Sequence, residues 1–305
     1  EKNRIIVKNL IDFDLIKFLP SNGYIFSRLS FLVIFFVSFF KLKNLLKKDK
    51  PEFLIVHLIT SLPLILNYIY NFETKIIFRI SGYPRLNILR KFFWKITFKK
   101  VFRITCPTQK TKELLVKEKI ADEKKIFVLK DPIISVKKIN FNKKIKFDNN
   151  YGKFILGAGR LTKQKNFSLL IETFSELSKK IKNLNLVIAG DGEEKSKLQR
   201  LILQYKLEKK IFLVGYQENL FNFFKNCECF VLTSLWEDPG FVVIESAFCR
   251  TNIISSNCPN GPKEFFDDGK YGNTYNNKAE LLNLILKVLS VNTKEENNYN
   301  KKILQ

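Results

Sequence analysis

The feature that most constrains the fold of this chain is a repeated alternation of short apolar segments with longer amphipathic ones. In the first half, strands are predicted at 53–57, 75–80, 101–106 and 125–129, and helices at 61–70, 86–98 and 108–118. The alternation stops in a polar, Lys- and Asn-rich stretch from Asp131 to Tyr151. Strands that alternate with helices form parallel sheets with helices on both faces. The first half therefore predicts one α/β domain that ends at a linker.

The same alternation restarts after the linker. Strands are predicted at 154–158, 184–189, 211–214, 229–233 and 252–255, with helices starting at 168 and covering 194–205, 219–226 and 241–249. In open parallel sheets, ligands bind at the carboxyl ends of the strands. The turns that follow these strands are therefore the places to look for functional residues.

The positive charge is concentrated in the first half of the chain. Residues 1–150 contain 31 Lys and Arg against 12 Asp and Glu, whereas residues 151–305 contain 22 against 17. A basic surface of this kind attracts phosphates in nucleic acid, in anionic lipid headgroups or in a lipid diphosphate. A solvated basic face without a partner is the alternative. Residue 1 is Glu and Met is absent from the chain, so we expect the natural start to lie further upstream.

An uncharged apolar run at 29–40 is followed at once by Lys41, Lys43, Lys47 and Lys48. Twelve residues are too few to span a bilayer, which needs about 20. The basic flank favours a helix whose apolar side enters the headgroup region while its lysines meet anionic lipid, and a buried core helix is the alternative. A second aromatic and basic stretch at 90–100 would extend the same face.

Cysteine and histidine usage argues against a zinc site. The cysteines are Cys106, Cys227, Cys229, Cys249 and Cys258, and they form no C-x-x-C pair, while His57 is the single histidine. Such a set lacks the ligand spacing of structural zinc. We expect reduced, mostly buried thiols in a cytosolic protein, with no cofactor and no metal. The one Asp-x-Asp, at 12–14, is interpreted as a helix start.

Two glutamates stand out in the segment Glu237-Asp-Pro-Gly-Phe-Val-Val-Ile-Glu245, which follows a predicted strand. Gly240 falls where a helix should begin, so the first glutamate is expected on the loop and the second in the second helical turn. A carboxylate there can accept hydrogen bonds from sugar or ribose hydroxyls, and the free N–H groups of the helix can meet a phosphate oxygen. Phe241 and Val242 would belong to this helix start.

A second group of residues follows the first strand of the same half. Gly159 and Arg160 lie in the turn, and Lys165 follows five residues after the arginine. A glycine turn lets the backbone approach an anion, and the two cations can close on a diphosphate. Gly190 and Gly192 end the next strand, where small residues suit a close backbone approach beneath a nucleotide, although a plain turn explains them equally well.

These motifs together resemble the retaining glycosyltransferases of family 4, which have the GT-B fold. The matching motifs are Gly159-Arg160 with Lys165-Asn166, Ala189-Gly-Asp-Gly192, Glu237-x7-Glu245, Asn260-Gly-Pro-Lys-Glu264 and Gly269-Lys-Tyr-Gly272. The resemblance is strong over about 150–275 and weaker over the first half. It implies two Rossmann-like, doubly wound parallel-sheet domains that face each other across a cleft.

The resemblance also implies roles for individual residues. Arg160 and Lys165 would hold the donor diphosphate and offset charge on the leaving nucleotide. Glu245 would take the ribose hydroxyls, and Glu237, counted with both cations as catalytic, would take hydroxyls of the transferred sugar. Retention in this family is described as front-face attack in which the donor phosphate accepts the acceptor's proton. No protein nucleophile and no metal are then required.

The sequence departs from the family pattern on the acceptor side. The first Gly-rich loop of the family is not recognised, and the expected place of a histidine near the donor sugar reads Arg79-Ile-Ser-Gly82. His57, Arg79 and Ser81 are therefore only weak candidates for this side of the site.

The predicted domains are an acceptor-side, membrane-associating domain at 1–140 with a truncated start, a nucleotide-sugar-binding domain at 141–290, and a polar tail at 291–305. The predicted function is transfer of a sugar from a nucleotide-diphosphate sugar, with a UDP-sugar favoured, to a membrane-linked glycan or lipid in surface polysaccharide or lipopolysaccharide biosynthesis. We expect a peripheral protein on the cytoplasmic face of the inner membrane that binds no nucleic acid. The alternatives are a basic nucleic-acid-binding protein and a GT-B protein that binds donor without catalysis.

Overall fold

The computed structural model describes residues 24–57, 61–82, 84, 86–131, 147, 149–237, 239–267, 270 and 272–290, with the side chains of 24–32 left out. The chain divides into two compact units, Glu1–Leu129 and Lys130–Gln305. The predicted boundary at 140/141, the polar tail at 291–305 and the Asp-x-Asp at 12–14 lie outside the described residues.

Unit 1 is a parallel sheet with helices between its strands. Its elements are α1 (Tyr24–Lys48), β1 (Phe53–His57), α2 (Ser61–Ile69), β2 (Lys75–Arg79), α3 (Ile88–Thr97), β3 (Arg103–Cys106), α4 (Gln109–Lys117) and β4 (Ile126–Val128). The strands lie in the order β1-β2-β3-β4 and every pair is parallel. All of these strands and the helices α2 to α4 fall within two residues of their predicted positions.

The core of unit 1 is built around aromatic rings from β2, from α3 and from the C-cap residue of α3. Phe78, Trp94 and Phe98 are buried, and the last two rings stack at a centroid distance of 5.0 Å. The predicted extension of a membrane face over 90–100 is therefore wrong for Trp94 and Phe98, because both rings fill the core. In the same stretch Phe92 is exposed.

Helix α1 has two different sides. Leu42 and Leu46 are buried and pack with Leu62 and Leu66 of α2. Along the opposite side Val33, Phe36 and Phe40 are exposed, the last two by 62% and 65%. The sequence left a buried core helix and a helix with an exposed apolar side as alternatives. The structure shows both features, since one side of α1 is buried and the other exposes apolar residues. Within the described residues, none of the helices combines the length and the apolarity needed to cross a bilayer.

Unit 2 is a six-stranded parallel sheet with helices on both faces. Its elements are β5 (Phe154–Ala158), α5 (Phe167–Lys180), β6 (Asn185–Ala189), α6 (Lys195–Gln204), β7 (Ile211–Gly215), α7 (Phe221–Asn226), β8 (Phe230–Leu232), α8 (Phe241–Phe248), β9 (Ile253–Ser256), α9 (Gly261–Phe265), β10 (Asn273–Tyr275) and α10 (Lys278–Ser290). One core cluster includes residues of α5, α6 and α10, and the other includes residues of α7 and α8.

The strand order of unit 2 is β7-β6-β5-β8-β9-β10. From β5 the chain adds β6 and β7 on one side, and it then returns to place β8 on the other side of β5. This is the order of a doubly wound nucleotide-binding sheet, whose ligand site lies where the order reverses. Both units are parallel α/β sheets, so the predicted fold class is confirmed. In unit 2 the reversal falls between β5 and β8.

Candidate functional site

The candidate site lies at the carboxyl ends of β5 and β8, the two strands at which the order of the unit 2 sheet reverses. These strands are neighbours, with Leu156 of β5 paired to Phe230 of β8. The loop 159–166 leaves the first strand and the loop 233–240 leaves the second. The glycine-cation motif and the first glutamate therefore come from adjacent strand ends, as the alternation of strands and helices predicts.

The turn after β5 lies directly against the turn after β6. The Gly159 amide donates to the Ala189 carbonyl at 3.0 Å, and the Leu161 amide donates to the Asp191 carbonyl at 2.9 Å. A Cβ atom on Gly190 would lie 1.9 Å from the Gly159 carbonyl oxygen, so only glycine fits there. The small residues at 190 and 192 thus hold two backbone turns in contact.

Lys165 and Glu237 form an ion pair at the centre of the candidate site. The Lys165 Nζ donates to Glu237 Oε1 at 2.5 Å, and the two side chains are only 12% and 6% exposed. The buried hydroxyl of Ser234 donates to the same oxygen, also at 2.5 Å. An ion pair taken out of water interacts more strongly than an exposed pair, and it needs hydrogen bonds of this kind to offset its desolvation. The three groups form one nearly buried polar cluster.

The loops that carry this pair are tied together by main-chain contacts. The Leu235 amide donates to the Gln164 carbonyl at 2.8 Å, and the Gln164 side-chain amide donates to the Trp236 carbonyl at 2.8 Å. The Thr233 hydroxyl donates to the Lys165 carbonyl at 2.8 Å. The position of the ammonium relative to the carboxylate is therefore fixed by the backbone as well as by the ion pair.

Strands β9 and β10 support the second loop from the other side. The Ser256 hydroxyl donates to the Ser234 carbonyl at 2.6 Å, and the Tyr275 hydroxyl donates to the Leu232 carbonyl at 3.2 Å. Burial raises the pKa of the Cys258 thiol to about 11, and the nearby Glu237 carboxylate acts in the same direction. The thiol therefore stays neutral beside the ion pair at physiological pH.

Helix α8 begins where the sequence predicts. Gly240 is its N-cap residue, with φ of 80° in the left-handed region that favours glycine. Phe241 is exposed, Val242 is half-buried, and Glu245 is half-buried in the second turn. The free N–H groups of the first turn and the Glu245 carboxylate are thus carried by the helix that follows the Glu237 loop.

The structure treats the two predicted cations differently. Arg160 is exposed at the turn after β5, whereas Lys165 is nearly buried against Glu237. The lysine is therefore held in place before any ligand arrives, while the arginine points its charge into solvent.

The candidates in unit 1 follow two neighbouring strands. His57 is exposed at the end of β1 and is paired in register with Arg79 of β2. The Arg79 guanidinium donates to the Leu129 carbonyl at 3.0 Å, which gives it a structural role at the end of the unit. Ser81 follows β2 and is half-buried.

Sequence reasoning missed residues that complete the unit 2 site. It did not single out Gln164 or Ser234, because a short polar residue in a loop carries no pattern of its own. Asn260 belongs to a matched motif but received no role. It is 4% exposed, has φ of 73° and ψ of −134°, and its buried Nδ2 has no hydrogen-bond partner in the part of the chain that the structure describes. A non-glycine residue in that conformation is strained, and such strain concentrates at functional sites.

Among the residues that the structure describes, no group of three or more His, Cys, Asp and Glu side chains is placed to hold a metal ion. The five cysteines are free thiols, and Cys106, Cys229 and Cys258 are buried. That the protein requires no metal stays a prediction from the resemblance.

Comparison with known proteins decides the family. The family described as "Glycosyl transferases group 1" matches residues 138–304, more than half of the 305 residues. The chain belongs to this family. The match covers the whole doubly wound sheet of unit 2, including the Lys165–Glu237 pair and α8.

Curated relatives of this group 1 glycosyltransferase match it over part of its length. An uncharacterised glycosyltransferase of Methanocaldococcus jannaschii is 43% identical over 109 residues, which is 36% of this chain and 27% of the relative. The N-acetylgalactosamine-N,N'-diacetylbacillosaminyl-diphospho-undecaprenol 4-alpha-N-acetylgalactosaminyltransferase of Campylobacter jejuni is 38% identical over 120 residues, 39% of this chain and 32% of the relative. The matched part therefore spans about a third of each relative.

Solved glycosyltransferase structures share the fold. Anabaena HepE in complex with UDP superimposes with a TM-score of 0.69 at 15% identity, over 86% of this chain and 75% of HepE. TarM superimposes with a TM-score of 0.64 at 19% identity, over 77% of this chain and 47% of TarM. These likenesses extend beyond unit 2 and confirm the GT-B fold.

Proposed function

We propose that this group 1 glycosyltransferase moves a sugar, with retention of anomeric configuration, from a nucleotide-diphosphate sugar to a membrane-linked glycan or lipid in surface polysaccharide or lipopolysaccharide synthesis. A UDP-sugar is the favoured donor, and no metal takes part. The observation that carries the proposal is the nearly buried Lys165–Glu237 pair at the reversal point of a doubly wound sheet.

The charges of the site suit departure of a diphosphate. In the proposed reaction the bond between the anomeric carbon and the donor phosphate oxygen breaks, and the bond from that carbon to the acceptor oxygen forms on the same face. The acceptor's proton passes to the departing phosphate. Negative charge then develops on the nucleoside diphosphate, where the fixed ammonium of Lys165 and the exposed guanidinium of Arg160 would offset it. A fixed charge in a site of low dielectric acts more strongly than one in water.

The Glu237 and Glu245 carboxylates can accept hydrogen bonds from the two ends of the donor. Oε1 of Glu237 is already occupied by the Lys165 ammonium and the Ser234 hydroxyl. We assign its other oxygen to hydroxyls of the transferred sugar and the Glu245 carboxylate to the ribose, with Gly159, Gly190, Gly192, Gly240, Phe241 and Val242 lining the donor.

The relatives support the choice of donor and acceptor class. HepE has been crystallised with UDP and with UDP-glucose. The Campylobacter relative carries in its name an acceptor linked to diphospho-undecaprenol and an alpha linkage. A lipid-linked acceptor requires an enzyme at a membrane surface, and the exposed stripe of α1 with its flanking lysines would supply that contact from the cytoplasmic side.

Binding of UDP and GDP to single variants tests the donor assignment. Arg160→Ala should weaken binding at least about tenfold, because it removes a charge-assisted contact of roughly 1.5 to 3 kcal/mol. Lys163→Ala, an exposed cation in the same loop, is the matched control and should not change affinity. Equal affinities for wild type and Arg160→Ala would contradict the phosphate assignment.

The roles of the two glutamates are separated by conservative variants. Glu245→Gln should lower affinity for the free nucleotide, whereas Glu237→Gln should spare nucleotide binding and slow sugar transfer or donor hydrolysis. Equal loss of nucleotide affinity in both would contradict the division. Lys165→Ala leaves a buried carboxylate without its cation, which costs about 3 to 5 kcal/mol of stability. Lys165 is therefore tested in the pair Lys165→Gln with Glu237→Gln, which removes both charges together.

A further inference from the structure

A polar cavity lies in unit 1 at the amino ends of the strands. His57 and Arg79 lie at the opposite, carboxyl ends of the strands. The cavity has a volume of about 470 Å³. It lies between the end of α2 and the residues that precede β2, β3 and β4. Its polar wall comes from Asn71, Thr74, Lys75, Lys99, Lys100 and Lys125. Nothing in the proposed transfer reaction uses these residues.

Two of the lysines are held by the backbone around the cavity. Lys100 donates to the Tyr68 carbonyl and to Asn71 Oδ1, both at 2.9 Å. Lys125 donates to the Lys99 carbonyl at 2.9 Å and to the Val101 carbonyl at 3.2 Å. An ammonium has three N–H donors, so each of these lysines keeps one for a ligand. Their charges are therefore positioned without being neutralised.

The charge of the lining is strongly positive. Four lysines face a single carboxylate, that of Glu73, and this carboxylate pairs with Lys50 at 2.9 Å. Lys75 reaches Glu52 at 3.6 Å through exposed side chains, a contact that contributes little. A concave site with this balance raises the local concentration of anions.

We propose that this cavity binds a phosphate group, with the ammonium groups of Lys100 and Lys125 as its ligands. The volume exceeds that of a phosphate alone, so the group would be carried by a small polar moiety such as glycerol. Such a phosphate is offered by a soluble phosphomonoester or by the headgroup of an anionic lipid. The site is separate from the donor site and does not depend on the proposed transfer reaction.

The test uses the full chain and two kinds of probe. Soluble binding is measured by calorimetry and thermal unfolding with inorganic phosphate and glycerol 3-phosphate. Headgroup binding is measured by sedimentation with vesicles of phosphatidylcholine alone or with phosphatidic acid. Lys100→Gln and Lys125→Gln each remove one charge from the wall, and Lys110→Gln removes one charge elsewhere in unit 1.

The expected result is that Lys100→Gln and Lys125→Gln each weaken phosphate binding about tenfold, because each removes a charge-assisted hydrogen bond. Lys110→Gln should leave phosphate binding unchanged. An effect on soluble phosphate identifies a metabolite site, and an effect only on vesicles identifies a headgroup site. Absence of binding to every probe, or equal losses of binding in Lys100→Gln, Lys125→Gln and Lys110→Gln, overturns the proposal.

Discussion

The Glu237 carboxylate illustrates how one side chain can depend on its neighbours. Its Oε1 accepts from two donors on different loops, Lys165 Nζ and Ser234 Oγ, while Ser256 holds the Ser234 carbonyl. A carboxylate held by two donors keeps one rotamer, so its remaining oxygen faces a fixed direction. Ser234 is therefore a positioning residue in the proposed reaction, since it acts on the sugar only through Glu237.

Replacing Ser234 tests this dependence. Ser234→Ala removes one hydrogen bond to a charged group, of roughly 1.5 to 3 kcal/mol. We expect kcat for sugar transfer or donor hydrolysis to fall about tenfold or more, with little change in the affinity for free UDP, and Ser234→Thr to restore most of the rate. Steady-state kinetics with separate kcat and KM values provide the measurement. A loss of UDP affinity as large as the loss of kcat would contradict a positioning role.

Two features of Asn260 raise the free energy of the folded state. Its backbone lies in a region that glycine adopts more readily, and its buried side-chain Nδ2 has no hydrogen-bond partner among the described residues. Residues held in such conformations cost of order 1 to 3 kcal/mol. In the proposed enzyme this strain would be retained because the turn carries α9 against the Glu237 loop.

Asn260→Gly should therefore stabilise unit 2 by about 1 kcal/mol, since it relieves backbone strain of that order and removes the unsatisfied amide. Urea denaturation should show a higher midpoint with an unchanged slope. Asn260→Ala is the control, because it removes the amide and keeps the strained φ. A glycine variant no more stable than the alanine variant would show that the backbone at 260 is not strained.

At the scale of elements, α1 combines a side that packs within unit 1 with an exposed side to which the proposed function assigns the membrane contact. Its buried side fixes it to α2, and its exposed side presents two phenylalanine rings one turn apart. Lys43 donates to the Tyr70 hydroxyl at 2.9 Å, so part of the basic flank also serves the contact between the two helices. Phe36 and Phe40 contact Phe35 and Phe39 of the same helix, and their exposed surface is the part that would enter a headgroup layer in the proposed function.

Substitutions on the two sides of α1 should separate these functions. Phe36→Ser with Phe40→Ser should reduce sedimentation with anionic vesicles and leave the unfolding temperature unchanged, because both rings are exposed. Leu46→Ala should destabilise unit 1 by about 2 to 5 kcal/mol through loss of buried contacts. Sedimentation and thermal unfolding of both variants give the comparison. If the serine variant bound vesicles as well as wild type does, α1 would not be the membrane contact.

The sequence predicts regular elements well where periodicity is strong. In unit 2, strands from β5 to β9 and the helices between them lie within two residues of prediction, because their apolar runs are buried on both faces. Helix α9, strand β10 and helix α10 were not predicted. The first two have five and three residues and give no period to read, whereas α10 has 13 residues and its helical period was missed. Trp94 and Phe98 were misjudged because the lysines beside them suggested an exposed basic face. The sequence singled out Lys165 and Glu237, which the structure places in contact, but the part of Ser234 in this cluster could be seen only in the structure.

At the scale of the whole molecule, the two units differ in what they expose and what they bury. The basic excess lies in the first half, whereas four of the five cysteines lie in unit 2. Burial raises the pKa of Cys229 to about 12, that of Cys258 to about 11, and that of Cys227 well above its ordinary value. We therefore expect the free energy of unfolding of unit 2 to depend on pH in the alkaline range through these buried thiols.

The free energy of unfolding of unit 2 should fall as pH rises from about 9 to 11. Above the thiol pKa of about 8.5 the unfolded chain releases protons that the folded chain retains. The folded state then binds more protons, and stability decreases with pH. Urea denaturation under reducing conditions at pH 8 and pH 10.5 measures the decrease. Cys229→Ala should show a shallower decrease than wild type, and an equal decrease would assign the effect to other groups.

The distance along the chain between Lys165 and Glu237 has a consequence for how this protein reaches its native state. The two residues are 72 positions apart, and the supporting bond from Thr233 to the Lys165 carbonyl spans 68. Contacts of this separation carry a large entropy of loop closure, and parallel strand pairing of this kind is slow to form. Refolding kinetics followed with a fluorescent nucleotide should therefore show donor binding only in the last phase, after β8 has joined β5 and a partly folded sheet already exists.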